Sequence, residues 1–351
     1  MIEEDKKLYM RRCFSLAKKG LGNVSPNPMV GCVIVKDGKI IGEGYHKKYG
    51  EAHAEVNAIE SVKDKRDLLG STLFVNLEPC SHYGKTPPCA ERIIDEGIAE
   101  VIICNVDPNP LVSGNGIKML REAGVQVECG LLKDDGYELN SRFFTFHNKK
   151  RPYVILKWAQ TSDGFIDANF SMPIRISNDI AKAYVHKLRA EEDAILVGKN
   201  TALKDDPKLG CIRFHGAPPL RIAIDRNLEI PSYYNLYNGF QSTAIINSII
   251  DDGVRVKMDF DQDLIPQILD WLYDQNIQSL IVEGGKYTLE RFIESGYYDA
   301  IQVEVGNMPC HNGVSAPTFS TEGMICEVEK FSDCTFLHYK KVKCQNIFLS
   351  L

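Results

Sequence analysis

The sequence predicts two α/β domains in tandem, and three observations carry that expectation. The chain has 351 residues, which at roughly 150 residues per domain is about two domains. Apolar residues make up 44% and charged residues 25%, a balance that fits a globular protein rather than a disordered or fibrous one. Strand-like and helix-like runs alternate along most of the chain, which implies sheets with parallel pairs and helices on their faces.

Residues 8–19 repeat apolar side chains at helical spacing and stop at Gly20. Residues 30–35 read as a strand, Asp37-Gly38 as a hairpin turn and 40–45 as the returning strand. A strand over 72–77, a helix over 88–96 ended by Gly97, and a strand over 101–106 follow. A helix over 117–123, closed by Gly124, and a strand over 125–129 come next. The polar, basic, proline-ended segment 146–152 marks the expected boundary, giving domains 1–150 and 151–351. Beyond it, strands are predicted over 153–159, 194–197, 221–225, 243–246 and 280–282. Helices are predicted over 178–190, capped by Ser177, over 264–274, where Pro266 fits a first turn, and over 287–294.

Charge and composition narrow the function. A net charge of −6 without a lysine or arginine run opposes general binding to nucleic acid or to a membrane surface. No run of about 18 apolar residues offers a membrane span, and charged residues 3–7 leave no apolar core for a secretory signal. Eleven cysteines, an odd count, favour reduced thiols, metal ligands or core packing over a disulfide framework. The expectation is a cytoplasmic protein.

The sharpest chemical signal is His53-Ala54-Glu55, followed by Pro79-Cys80 and then Cys89. One imidazole and two thiolates suit a catalytic zinc, with a fourth position left for water. Coordination lowers that water's pKa to roughly 7, and Glu55 is then the group that moves its proton to a departing amine. Side chains two apart on a regular helix point about 200° apart, so His53 is expected at a helix edge. Cys89, after Pro87-Pro88, is expected in another helix's first turn, where the dipole favours thiolate. The pattern follows the H-x-E…P-C-x-x-C signature of zinc deaminases, except that eight residues, Ser81 to Pro88, separate the cysteines. The bland alternative makes Cys80 and Cys89 ordinary thiols and His53 a surface residue. Cys32 and Cys104, in apolar strands, read as core thiols. Gly84-Lys85-Thr86 ends like a phosphate-binding loop, but Pro79 stands where the upstream glycine is required.

With Ser25-Pro26-Asn27-Pro28-Met29, Gly44-Tyr45-His46, His53-Ala54-Glu55 and the long loop Pro79-Cys80-Ser81-His82-Tyr83-Gly84-Lys85-Thr86-Pro87-Pro88-Cys89, the sequence resembles the bifunctional riboflavin-biosynthesis deaminase/reductase family. Asp107-Pro108-Asn109-Pro110 and Leu139-Asn140 fit as well. The resemblance implies a cytidine-deaminase-like α/β/α domain that hydrolyses the 2-amino group of 2,5-diamino-6-ribosylamino-4(3H)-pyrimidinone 5′-phosphate. It places Asn27, His46, His82, Lys85, Asp107 and Asn109 against substrate. Taken singly, such short polar residues in turns are as often loop caps.

The second half has no G-x-G-x-x-G after a strand. It has Glu283-Gly284-Gly285 between a strand and a helix, where bare backbone suits a phosphate, though a Gly-Gly there is commonly only a turn. Together with Leu156-Lys157, Ser162-Asp163-Gly164, Leu188-Arg189-Ala190 and Thr201…Asp205-Asp206-Pro207, it resembles the family's dihydrofolate-reductase-like domain, in which NADPH reduces ribosyl to ribityl. The resemblance puts Thr201, Asp205, Gly284 and Gly285 on the NADPH side; Gln160 is expected there too, and Arg175 is expected at a phosphate from its charge alone. It puts Lys157, Arg189, Leu209, Arg213 and Glu283 on the substrate side, although a lysine at a strand end is commonly only solvated. Two stretches depart from the family: 173–177 lacks the usual serine and tryptophan, and 307–313 alters a Pro-x-Leu-x-Gly stretch.

The implied enzyme uses Zn2+ and NADPH, acts on a small pyrimidine ribosyl phosphate, and forms a homo-oligomer, a dimer or tetramer. The competing readings are an active deaminase with a degenerate or altered-cofactor reductase, a nucleic-acid-editing zinc deaminase, and a zinc-stabilised binding module. The net charge and the eight-residue loop oppose the second, and Glu55 beside three ligands opposes the third.

Overall fold

A computed structural model describes residues 2–83, 87–109, 112–168, 176–214 and 216–341. Lys85 and Arg175 lie outside the described residues. Contacts divide the chain into two compact units, Met1–Lys150 and Arg151–Leu351.

The first unit runs α1 (Glu3–Ala17), β1 (Gly31–Lys36), β2 (Lys39–Tyr45), α2 (Ala54–Ser61), β3 (Thr72–Leu77), α3 (Cys89–Asp95), β4 (Glu100–Asn105), α4 (Asn115–Glu122), β5 (Gln126–Cys129), α5 (Lys133–Leu139) and α6 (Ser141–Lys149). Its sheet has the order β2-β1-β3-β4-β5. β1 is antiparallel to both neighbours, and β3, β4 and β5 are parallel. Alternation along the strands fills both faces. Cys32, Ile34, Leu73, Val75, Val101 and Ile103 pack with Ala58, Ile59, Ile93 and Leu120 from α2, α3 and α4. Val33, Val35, Phe74, Ile102 and Cys104 pack with Met10, Cys13 and Phe14 from α1. The β1–β2 turn has both Asp37 and Gly38 at positive φ, the backbone a two-residue hairpin demands.

Two expectations change here. The first helix begins at Glu3 rather than residue 8, with Glu3, Glu4 and Asp5 in its first turn, where acidic side chains favour the positive end of the dipole. The polar segment expected to begin the boundary at 146 is still helical: α6 buries Phe143, Phe144 and Phe146, and its apolar face outweighs the basic end that suggested a linker.

The second unit runs β6 (Tyr153–Gln160), β7 (Phe165–Asp167), α7 (Asp179–Glu191), β8 (Ala194–Gly198), α8 (Lys199–Asp205), β9 (Leu220–Ile224), β10 (Thr243–Asn247), β11 (Arg255–Lys257), α9 (Leu264–Asp274), β12 (Ser279–Val282), α10 (Lys286–Ser295), β13 (Ala300–Val305), β14 (Val314–Ser315), β15 (Met324–Phe331) and β16 (Cys334–Lys341). Nine strands form one sheet in the order β11-β10-β9-β8-β12-β6-β13-β16-β15. It is parallel from β11 to β13 and is finished by the antiparallel pair β16 and β15. One face packs against Ile268, Leu272, Leu289 and Phe292 of α9 and α10. The other receives Leu188 of α7 and Ala202 of α8. α7 is capped by Asn178, whose Oδ1 accepts from the Ala181 N–H at 2.7 Å, not by Ser177, because the helix begins one residue later than the pattern suggested. No described helix is long and apolar enough to cross a membrane.

Arg221 on β9 is 1% exposed. Its guanidinium donates to the carbonyls of Asn235 (2.8 Å) and Gln241 (2.9 Å), to Oγ1 of Thr243 (2.9 Å) and to Oδ1 of Asn238 (3.2 Å). It therefore ties residues 235–241 to the sheet. Arg221→Met leaves those half-buried acceptors without their donor, which costs about 3 kcal/mol. Denaturant unfolding of the second unit checks this, and an unchanged midpoint refutes it.

Candidate active site

In the first unit, three soft donors meet beyond the carboxyl end of β3. His53 is the residue before α2, with extended backbone (φ −71°, ψ 165°), so its ring turns away from the helix while Glu55 sits in the first turn. Cys80 follows β3, and Cys89 opens α3. His53 Nδ1 lies 3.6 Å from Cys80 Sγ and 3.3 Å from Cys89 Sγ, and the three ligand atoms lie within 4.8 Å of one another. A tetrahedral zinc with its usual bond lengths separates such donors by about 3.6 Å. The donor set and its spacing fit a zinc ion with one position left open.

The helix approaches closely because residue 44 on β2 is glycine: a Cβ there would lie 2.2 Å from the Ala58 nitrogen and 2.5 Å from the Ala54 carbonyl. Glu55 is 4% exposed, and burial raises its pKa to about 7. Without metal, the hydrogen bond from Cys89, with help from His53, lowers the Cys80 pKa to about 4. The hydrogen bond to Cys80 raises that of His53 to about 9. The Cys89 backbone N–H also donates to Cys80 Sγ at 3.3 Å.

Several of the predicted substrate residues that are described, His46, Asn27 and Asp107, lie near the cluster. His46 is buried and places its ring 5.6 Å from that of His53. Its Nδ1 faces the Ala52 carbonyl at 3.1 Å, and its Nε2 lies 3.1 Å from Asn27 Nδ2. The carbonyl thus selects the Nδ1–H tautomer and leaves Nε2 to accept from the amide. Asp107 accepts from the Asn109 N–H at 2.8 Å. Burial pushes its pKa up to about 6, with Glu78, Cys80 and His82 among its charged neighbours. His82 itself is exposed.

The sequence reading gave no role to three buried residues that hold these loops. Glu78 accepts from the N–H groups of Asp107, Gly114, Gly116 and Ile117 at 3.0–3.2 Å. Asn76 and Asn140 both grip Met29, two residues beyond Asn27. Each donates to its carbonyl at 2.9 Å, Asn140 accepts its N–H and Asn76 accepts that of Gly31. The available signal was a polar side chain inside an apolar strand and a carboxylate directly before Pro79-Cys80.

In the second unit, Arg189 and Glu283 form a two-point ion pair at 2.6 and 3.2 Å. Arg189 also reaches the Gly210 carbonyl at 3.5 Å, beside Leu209, which is buried at positive φ. Lys157 is not at a solvated strand end. It lies inside β6 and is 7% exposed, because β13 continues the sheet beyond it. Thr201 lies on α8, and a Cβ built on Gly285 would come 3.2 Å from its Oγ1. The Gly284–Gly285 turn thus presents bare backbone next to Thr201 at the start of α10, a cradle that fits a phosphate of NADPH. Asp205 ends α8, its pKa raised by burial and by Asp167. Gln160 accepts from Trp158 Nε1 at 2.8 Å. Arg213 is exposed, 3.5 Å from Asp179, and its charge acts on His186, as do those of Arg189 and Glu283.

Comparison with known proteins covers both units. Residues 3–105 match the cytidine and deoxycytidylate deaminase zinc-binding region, and residues 152–346 match the RibD C-terminal domain. The chain is 41% identical over 326 residues to the riboflavin biosynthesis protein RibD of Aquifex aeolicus, covering 90% of each. It is 43% identical over 358 residues to that of Escherichia coli, covering 95% of each. Among solved structures, a diaminohydroxyphosphoribosylaminopyrimidine deaminase/5-amino-6-(5-phosphoribosylamino)uracil reductase from Thermotoga maritima superposes with a TM-score of 0.87. The two are 34% identical over 97% of this chain and 99% of that one. The chain therefore belongs to the RibD family of bifunctional riboflavin-biosynthesis enzymes, which join a zinc deaminase to a reductase.

Proposed function

We propose that residues 1–150 hydrolyse the 2-amino group of 2,5-diamino-6-ribosylamino-4(3H)-pyrimidinone 5′-phosphate, and that residues 151–351 reduce the ribosyl group of the product to ribityl with NADPH. The observation that carries this reading is the meeting of His53, Cys80 and Cys89 beside the buried carboxyl of Glu55. His53, Cys80 and Cys89 hold the zinc, and a zinc ion held there supplies the Lewis acidity that makes water a nucleophile at neutral pH. Glu55 takes a proton from the attacking water and returns it to the departing amine, so that water is consumed and ammonia leaves. Asn27 and His46 help hold the substrate, His82 and Lys85 meet its phosphate end, and Asp107 and Asn109 are further contacts.

In the second unit Thr201, Asp205, Gly284 and Gly285 seat NADPH, with Gln160 and Arg175 as further cofactor contacts. Lys157 orients the sugar, and Arg189, Glu283, Leu209 and Arg213 form the substrate side. NADPH held there would supply a hydride for C1′, the C1′–O4′ bond of the sugar ring opening as a proton goes to the freed O4′. The protein's part is to hold donor and acceptor together. The enzyme works in the cytoplasm as a homo-oligomer, without nucleic-acid or membrane partners.

Purified protein given the diaminopyrimidinone ribosyl phosphate tests the whole reading. Uracil product without NADPH, and ribityl product with NADPH oxidation once cofactor is added, is the expected result. Deamination that stops at the ribosyl uracil despite NADPH refutes the reductase half. Zinc analysis is expected to give about one ion per chain, and Cys80→Ser and Cys89→Ser to lose both metal and deamination while NADPH oxidation on ready-made ribosyl uracil continues. Glu55→Gln is expected to keep its zinc and to slow deamination by roughly 10²- to 10⁴-fold. Near-normal turnover in that variant would remove Glu55 from the proton path.

A further inference from the structure

The geometry points to Glu304 as a positioning residue that holds the Lys157 ammonium in place for the reduction. The inference rests on the reading that Lys157 meets the sugar. Glu304 lies on β13, inside the nine-stranded sheet, and is fully buried. Neither of its carboxylate oxygens has a hydrogen-bond partner among the described residues. A carboxylate taken out of water in this way is strongly disfavoured unless an opposite charge stands close by. That charge is Lys157, whose Nζ lies 3.8 Å from Glu304 Oε2.

Strand register explains the pairing. Lys157 on β6 stands opposite Gln302 on β13, and Glu304, two residues on, projects from the same face. On the other side, Val282 of β12 pairs with Leu156, which brings Glu283 level with Lys157. Burial opposes ionisation of Glu283, but Arg189 and Lys157 outweigh it and hold its carboxyl below the usual range. Among the described residues, Lys157 is the cation paired with Glu304. Phe336 stands opposite Glu304 on β16, the pKa of His338 beside that residue is lowered chiefly by burial and its Nε2 lies 3.7 Å from Glu329, and Tyr184 of α7 packs on both rings. Cys334 is a thiol raised by burial.

Charges therefore alternate across one face of the sheet, from Arg189 through Glu283 and Lys157 to Glu304. Arg189 occupies both oxygens of Glu283, which leaves Glu304 as the carboxylate committed to Lys157 alone. At 3.8 Å the pair is an ion pair longer than a hydrogen bond. Glu304 thus fixes the ammonium by Coulomb attraction without consuming its N–H donors, and those donors remain for sugar hydroxyls.

The test compares Glu304→Gln, Glu304→Asp, Lys157→Met and the double variant K157M/E304Q in the full chain. Each is assayed with ribosylaminouracil phosphate and NADPH. Glu304→Gln is expected to lower reductase kcat about tenfold or more, with the NADPH Kd and the deamination rate unchanged. Glu304→Asp should recover most of the loss. In the Lys157→Met background, Glu304→Gln should cost nothing further. Wild-type reduction by E304Q, or an equal loss with and without Lys157, overturns the proposal. Should E304Q lose NADPH binding, E304D decides: if it binds NADPH yet reduces no faster than K157M, the proposal fails. Wild-type reduction by K157M would instead show that the reading of Lys157 itself is wrong.

Discussion

Four backbone N–H groups converge on the carboxylate of Glu78, and the geometry of the first unit's site depends on that convergence. The residue stands between the end of β3 and Cys80. It ties the strand end to the loop that carries Asp107 and to the first turn of α4, where a carboxylate also meets the positive end of the helix dipole. Gly116 lets that turn come close, since a Cβ there would lie 2.0 Å from the Pro79 carbonyl. With Pro79 caught between Glu78 and α4, Cys80 has little freedom to drift from His53 and Cys89. A soft-donor triangle of this size needs such restraint, because thiolates held near one another repel until a cation joins them.

The second unit solves a different electrostatic problem. No described residues there form a triangle of soft metal donors. Several charged side chains lie in or against its sheet, where each needs polar partners to offset the loss of water. Arg189 with Glu283 and Lys157 with Glu304 are the pairs on one sheet face. Arg221 follows the same rule with neutral partners, spreading its charge over carbonyl oxygens. Polar groups placed this way cost little once satisfied and a great deal when one partner is removed.

Much of this architecture was legible in the residues. The strand over 72–77 and the helix over 264–274 appear at the expected limits, because their apolar residues are dense enough to set the element type and turn or capping residues flank them. The cysteine and histidine spacing pointed to one cluster, since few other chemistries need that set of donors in that order. The charged row was not legible. Lys157 looks like a strand-end lysine until β13 is seen beside it, and no strand was predicted over 300–305, where Glu304 lies. Pairing across strands brings together residues about 150 positions apart, and no local pattern encodes that. Glu78, Asn76 and Asn140 escaped for a related reason: what they do depends on which backbone groups the fold turns toward them.

In the first unit, the groups proposed for bond-making sit in or within three residues of regular structure: just before α2, in its first turn, just beyond β3 and at the start of α3. The groups proposed for recognising substrate come from connections, namely the loops around Asn27, His46, His82 and Asp107. Loops accept substitution far more readily than packed elements do. Lineages that share this scaffold are thus free to drift in what they bind while the hydrolytic chemistry stays where the core has put it. Divergence of specificity, in such a protein, is a matter of rewriting four connections.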